Sequence, residues 1–478
     1  LAILFAWSSP AWAAKNVILM IADGSGHNTW QATSMYQGRL GKQVYDQPDW
    51  VTSACTTYPL NLLPRPTGNL KQTPSIVYSP AKAWDGTRPK DQEIFAGYAY
   101  LTTTCTDSAA AATALATGQK TYNSAINWTN DGRPMRGKTI AEIAKSQGKS
   151  VGVITTVPWS HATPAGLGGA HNINRDNYVE IAKEMLGATW LDVIMGAGNP
   201  DYDNDGRPIA EAKKRDYKYV GGQETWQALK SGQRGWKLIE SKADFEALAA
   251  NATPTKVLGT AQVSSTLQAK RGSGRVTLPY DKVTKAPSAN ELSKRPFTDP
   301  FIPNVPSLAD MAKAAVKCLD DNPKGFYLMI EGGAVDWANH ANEPDRMVEE
   351  QIDYLKAVEA VVAWIESHGG WKDTLLILTA DHETGLLWGP DASKKAFQPI
   401  KDRGEGKLPG MKHLSHGHSN SLVPLRARGP GSERFAALAR GKDATAASRW
   451  KFSGQYIDNT DVFAVMRAEL EDAKQPSP

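Results

Sequence analysis

The strongest constraint on the fold is a set of four apolar runs. Residues 17–21 run into Asp23-Gly24, residues 326–330 into Glu331-Gly332-Gly333, and residues 375–378 into Ala380-Asp381-His382. The fourth run, residues 151–154, follows a helical pattern at 139–145. Short runs with no polar alternation suit strands covered on both faces, as in a parallel sheet. Helical patterns lie between them. One puts Leu308, Met311, Ala315 and Leu319 on a single face, and another covers 351–367 and stops at Gly369-Gly370. A last helix starts near Asp461 behind a cap at Asn459 or Thr460. This alternation predicts an α/β fold, a doubly wound and mostly parallel central sheet with helices on both faces.

At 478 residues the chain exceeds one simple core, so insertions are expected. Three stretches break the pattern: 60–92, 199–303 and 388–414. They read as loop or crown-like insertions at the end of the sheet that bears the site, the second with weak helices near Glu224 and Ala243. A net charge of +4 is small for this length and gives no reason to expect a nucleic-acid partner. Residues 1–13 read as the remnant of a signal peptide, an apolar stretch followed by the small-x-small signal Ala11-Trp12-Ala13. One domain over 14–478 and a periplasmic or secreted location are therefore expected. No apolar stretch reaches the roughly 18 residues of a membrane span. Cys55, Cys105 and Cys318 allow at most one bridge, which the sequence does not choose, and Cys105 is read as a packed small residue.

The chemistry is carried by where acids and histidines fall. Ligands of open α/β sheets bind beyond the carboxyl ends of the strands. Four strand ends deliver polar groups there: Asp23; His161 with Thr163; Glu331 with Asp336 and His340; and Asp381 with His382. Asp after a strand is an ordinary turn residue, but four converging ends are hard to read as turns alone. Asp and His without thiolates suit catalytic zinc, and Glu, Asp and Thr oxygens suit magnesium. A nucleophile candidate precedes an alanine-rich helix in Thr106-Asp107-Ser108, with Gly118 as its stop. Ser108 has two readings there, an N-cap or a reactive hydroxyl favoured by the helix dipole.

These motifs resemble the alkaline phosphatase family. The resemblance rests on Asp-Gly-x-Gly at 23–26, Asp-Ser-Ala at 107–109, His-Ala-Thr-Pro at 161–164, Glu-Gly-x-x-x-Asp-x-x-x-His at 331–340 and Ala-Asp-His at 380–382, in the family's order. It implies hydrolysis of phosphate monoesters at alkaline pH through a phosphoserine on Ser108, with two zinc ions and one magnesium. Asp336, His340 and a late histidine would hold the first zinc. Asp23, Asp381 and His382 would hold the second, and Asp23, Thr163 and Glu331 the magnesium. Arg175 would grip two phosphate oxygens, an alignment that needs one extra residue after Thr163 and rests on His171. His418, before Ser419 and the apolar 422–425, fits the late ligand best, with His416 next and His413 nearby. His161 and Trp337 match one family branch and depart from another, which carries Asp and Lys. An imidazole near the third site would admit cobalt or zinc. His27, His171 and His368 are read as surface or packing residues. Family members are often dimers, so a homodimer is left open.

Three further readings complete the picture. Asp201 to Gly206 resembles the start of a calcium loop but has Ala212 at the twelfth position, so a solvated turn competes with it. A phosphodiesterase of the same superfamily is the first rival, opposed by Thr163, Glu331 and Arg175. A non-enzymatic metal or phosphate binder is the second, opposed by Ser108.

Overall fold

The structure, a computed structural model, describes residues 13–90, 93–251, 256–272 and 295–471. Residues 1–12 of the leader-like segment lie outside it, as do 91–92, 252–255 and 273–294 of the expected insertions. The four apolar runs become strands β1 (Asn16–Ala22), β3 (Ser150–Pro158), β7 (Phe326–Gly332) and β8 (Thr374–Thr379), with β2 (Val51–Thr56), β4 (Val193–Ala197), β5 (Lys237–Ile239) and β6 (Val257–Thr260) between them. One sheet of 11 strands runs from Gly441–Lys442 through Gln455–Asp458, β2, Val423–Arg428, β8, β1, β7, β3, β4 and β6 to β5. From β8 to β5 every pairing is parallel. Val423–Arg428 runs antiparallel between β8 and β2, and the edge strand Gly441–Lys442 runs antiparallel to Gln455–Asp458.

Both faces are covered, which is why β1 needs no polar residue. Its Val17, Leu19 and Ile21 pack on one side with Leu115, Ile140 and Met466 from helices Ser108–Thr117, Ile140–Ser146 and Asn459–Glu471. Ile18 and Met20 pack on the other side with Met311 and Val358 from helices Leu308–Leu319 and Pro344–Ser367. This is the expected doubly wound arrangement. Capping boxes start two of these helices, Thr139 with Glu142 and Ser307 with Asp310.

Several elements differ from the sequence reading. The segment 199–303, read as a loop insertion with weak helices, holds those helices at Gln223–Lys230 and Lys242–Ala250 and also adds β5 and β6 to the edge of the sheet. Both are too short for a periodic signal. In 60–92, helix Pro80–Ala83 and a 3-10 turn at Pro74–Ile76 bury Ile76 and Ala83. In 388–414, Leu387–Trp388 pairs with Lys412–His413 and closes the loop at its base. The three cysteines are free.

Helix Pro344–Ser367 begins seven residues before the visible pattern, since residue 344 precedes residue 351 by that number. Its first turns are charged yet buried. Glu349 accepts from Arg271 at 2.8 Å and from Arg346 at 2.7 Å, and the two guanidinium side chains are 1% and 0% exposed. Glu349→Ala takes the carboxylate from the buried Arg271 and leaves Arg346 with Asp299 alone, and such a loss costs about 3–5 kcal/mol. A matching fall in the urea midpoint is expected; an unchanged midpoint would show that Asp299, which also pairs with Arg346, carries the load.

Candidate active site

The site is built by register. Ile21 of β1 lies level with Glu331 of β7 and Thr379 of β8, and Thr155 of β3 lies level with Glu331. The four neighbouring strands therefore end together and release Asp23, Glu331, Asp381 and the His161 loop at one edge. Gly24 makes the first turn with φ +68, and a Cβ there would come within 2.7 Å of Asp336 Oδ1 and 2.8 Å of Thr384 Oγ1. Only glycine lets the Asp23 loop approach that closely.

Ser108 is the first residue of its helix and Asp107 is the N-cap, accepting from Ala110 N at 3.0 Å. Capping is thus done by Asp107, and the Ser108 hydroxyl is free for other contacts. Its Oγ lies 3.1 Å from His382 Nε2. The other Asp107 oxygen accepts from Arg175 Nη1 at 3.1 Å. Burial opposes the charge of Arg175, but Asp107 beside it raises its pKa, so the guanidinium stays charged.

Three imidazoles gather at this hydroxyl with their tautomers fixed: His382 touches Ser108, His418 stacks on His382 at 3.6 Å, and His340 lies 4.8 Å from His418. His418 Nδ1 donates to Thr106 O at 2.8 Å, and His340 Nδ1 donates to His416 O. His382 Nδ1 meets Thr384 Oγ1 at 3.2 Å, while that hydroxyl donates to Asp336 Oδ1 at 2.6 Å. With each Nδ1 spent on an acceptor, the Nε2 lone pairs face one another. His340 Nε2 and His418 Nε2 are 3.0 Å apart, and they lie 3.3 and 3.7 Å from Asp336 oxygens. His382 Nε2 is 3.2 Å from Asp381 Oδ2 and 3.6 Å from Asp23 Oδ1. Donors about 2.0–2.1 Å from a tetrahedral centre lie about 3.3 Å from each other, so the spacing fits zinc. Asp336-His382-His418 and Asp23-Asp381-His382 each form a tight group of candidate ligand atoms, with His382 bordering both.

Electrostatics also points to cations. Asp23, Glu331 and Asp381 are buried together. Burial, then the neighbouring Asp381, pushes the Asp23 carboxyl well up. Burial pushes Glu331 up to about 8, opposed by the hydroxyl of Thr155 that donates to it, and pushes Asp381 up to about 7. Burial would also raise Asp336, but His340 and then His418 hold it well below the carboxylate range. Asp23 Oδ1, Thr163 Oγ1, Glu331 Oε1 and Asp381 Oδ2 are buried with no hydrogen-bond partner. Clustered acids and orphaned oxygens of this kind suit bound divalent cations. His161 Nδ1 is also buried and unbonded, and burial with the nearby Arg175 keeps the ring neutral, its pKa down to about 3.

Every site residue named from the sequence lies in this region. Of the late histidines, His418 enters the cluster. His416 reaches back to His340 O through Nδ1 at 2.9 Å, and His413 is buried against Asn339. His27 stacks on Trp450, His171 pairs with Glu184 and His368 stacks on Trp364. Asp203 accepts from the turn amides of Asp205 and Arg207, as a solvated turn does, and Asp205 accepts from Gly272 N of a distant loop at 2.7 Å. The sequence reading missed Thr384, which ties Asp336 to His382, and Thr155, which bonds Glu331. The only signal for Thr384 was its place two residues after His382.

The family model for alkaline phosphatase matches residues 80–407. Alkaline phosphatase 4 of Bacillus subtilis is 34% identical over 59% of this chain and 50% of that protein. Alkaline phosphatase of Escherichia coli is 26% identical over 96% of this chain and 86% of that protein. The chain spans about half the length of the Bacillus subtilis relatives it matches. A solved mutant of TAB5 alkaline phosphatase superposes with a TM-score of 0.59 at 22% identity, covering 97% of this chain and 100% of that one. That last likeness is one of fold. The family match spans Ser108, Glu331, Asp336, Asp381 and His382, and this chain belongs to the alkaline phosphatase family.

Proposed function

We propose that the protein hydrolyses phosphate monoesters to an alcohol and inorganic phosphate, with Ser108 as nucleophile. The observation that carries this reading is the convergence of three fixed imidazole lone pairs beside a helix-terminal hydroxyl. Asp336, His340 and His418 would hold one zinc, and Asp23, Asp381 and His382 a second. Asp23, Thr163 and Glu331 would hold a magnesium, and the His161 nitrogen near them is the reason cobalt or zinc would also be accepted. The TAB5 structure carries Mg in its M3 site. When bound, the cations neutralise phosphoryl charge and lower the pKa of a coordinated hydroxyl or water.

The protein's own groups do the rest. Ser108 Oγ forms a bond to phosphorus as the bond to the ester oxygen breaks, and the alcohol leaves. The helix N-terminus favours the anionic oxygen and the phosphate it attacks. Arg175, aimed by Asp107, donates two N–H groups to phosphoryl oxygens. Water then attacks the phosphoserine, releasing phosphate and restoring the hydroxyl. Export to the periplasm or medium is part of this reading and rests on the small-x-small signal at 11–13. No helix among the described residues is long and apolar enough to cross a membrane.

Metal analysis combined with turnover of a monoester and a diester tests the reading. Zinc with magnesium, and faster turnover of the monoester, are expected; a faster diester would favour the phosphodiesterase rival. Arg175→Ala is expected to weaken phosphate binding by about 1.5–3 kcal/mol, roughly 10- to 150-fold in the inhibition constant of inorganic phosphate. An unchanged constant would assign the phosphoryl oxygens to another residue.

A further inference from the structure

Beside the site, aromatic rings and ammonium groups gather round His161. Its ring meets Trp337 edge-on at 5.6 Å and lies nearly parallel to Tyr178 at 5.9 Å, and Tyr178 meets Tyr219 at 4.9 Å. Lys218 Nζ stands 4.8 Å from the Tyr219 ring, and Lys270 Nζ stands 5.7 Å from the Trp337 ring. His161 is buried, but Trp337, Tyr178, Tyr219 and Lys270 are half-buried and Lys218 is exposed. The wall therefore reaches solvent, unlike a packed core.

Chain connectivity ties this wall to the reaction centre. Trp337 follows Asp336 on helix Ala334–His340, and His161 is the N-cap of helix Ala162–Leu167, which carries Thr163. Tyr178 opens the helix that begins three residues after Arg175. The electrostatic surroundings agree, because Arg175, Asp336 and Lys218 all lie within electrostatic reach of the His161 ring. Lys218 pairs with Asp216 at 3.0 Å. Lys270 has no ion-pair partner among the described residues and rests over the Trp337 face. An ammonium held by a ring alone keeps most of its capacity for an anion.

We propose that this wall is a subsite for the leaving group. It favours phosphate monoesters whose alcohol carries a planar aromatic ring and a further anionic group. The ring stacks against Trp337 and Tyr178, and the second anion meets Lys270 and Lys218. A small neutral alkyl ester gains neither contact. The assignment rests on the monoesterase reading above and extends it to substrate class.

The test uses the full metal-loaded protein and three non-hydrolysable probes: ethylphosphonate, phenylphosphonate and 4-carboxyphenylphosphonate. Calorimetry gives the affinity ratio for each step, alongside turnover of ethyl and phenyl phosphate. In the parent, the aromatic ring and then the carboxylate each improve affinity about fivefold, the scale of one stacking or cation contact. Trp337→Leu removes the first ratio and Trp337→Phe keeps most of it, whereas Lys270→Gln removes the second ratio alone. Turnover of both esters with three equal affinities overturns the subsite and leaves the monoesterase reading standing. Ratios that survive both Trp337→Leu and Lys270→Gln also overturn the subsite. Failure to turn over either ester overturns the monoesterase reading, and the subsite with it.

Discussion

Dialysis against a strong chelator abolishes turnover of a phosphate monoester, and zinc added together with magnesium restores it. The expectation follows from three buried carboxyls that share one space, Asp23, Glu331 and Asp381, each pushed up by burial. It follows equally from the histidines. Once Nδ1 is fixed on Thr106 O, His416 O and Thr384 Oγ1, the Nε2 atoms of His418, His340 and His382 are left facing oxygens of Asp336, Asp381 and Asp23. Losing the Lewis acid removes several kcal/mol of transition-state stabilisation, a fall of about a thousandfold or more. Full activity with the metals verified absent would end the metal reading. Magnesium alone restoring activity would contradict the two nitrogen-rich sites.

Ser108→Ala lowers kcat by on the order of a thousandfold or more while the fold and phosphate affinity persist. The fold persists because Asp107, not Ser108, caps the helix. Alanine is a better helix former than serine, so the change at the first helical position costs well under about 1 kcal/mol. Phosphate affinity persists because Arg175 keeps its partner Asp107. Residual turnover comes from water attacking directly. A folded variant that keeps parental kcat removes Ser108 from the nucleophile role, whereas an unfolded variant contradicts the capping by Asp107; circular dichroism and inhibition by phosphate separate the two outcomes.

Much of this site was legible because strand ends are. An apolar run followed by Asp23 or Asp381 marks both a strand and its carboxyl edge, and parallel strands bring those edges together. The sequence could not tell which of Asp107 and Ser108 caps the helix, since both are good caps. Nor could it choose His418 over His416 with certainty, because the choice depends on the short pairing of His418–Ser419 with Glu383–Thr384. Thr384 matters through two hydrogen bonds, and hydrogen bonds leave no periodic trace. The start of helix Pro344–Ser367 was hidden because its buried residues are Arg346, Glu349 and Glu350 rather than apolar ones. Buried ion pairs defeat any reading that equates burial with hydrophobicity.

The most direct measurement of the central claim is covalent. A phosphate monoester labelled in its phosphoryl group is mixed with the metal-loaded protein, quenched in acid during turnover, and the peptides are mapped. The account predicts one labelled residue, Ser108, and none in Ser108→Ala. Label on any other residue, or steady turnover with no label trapped at any quench time, would contradict it.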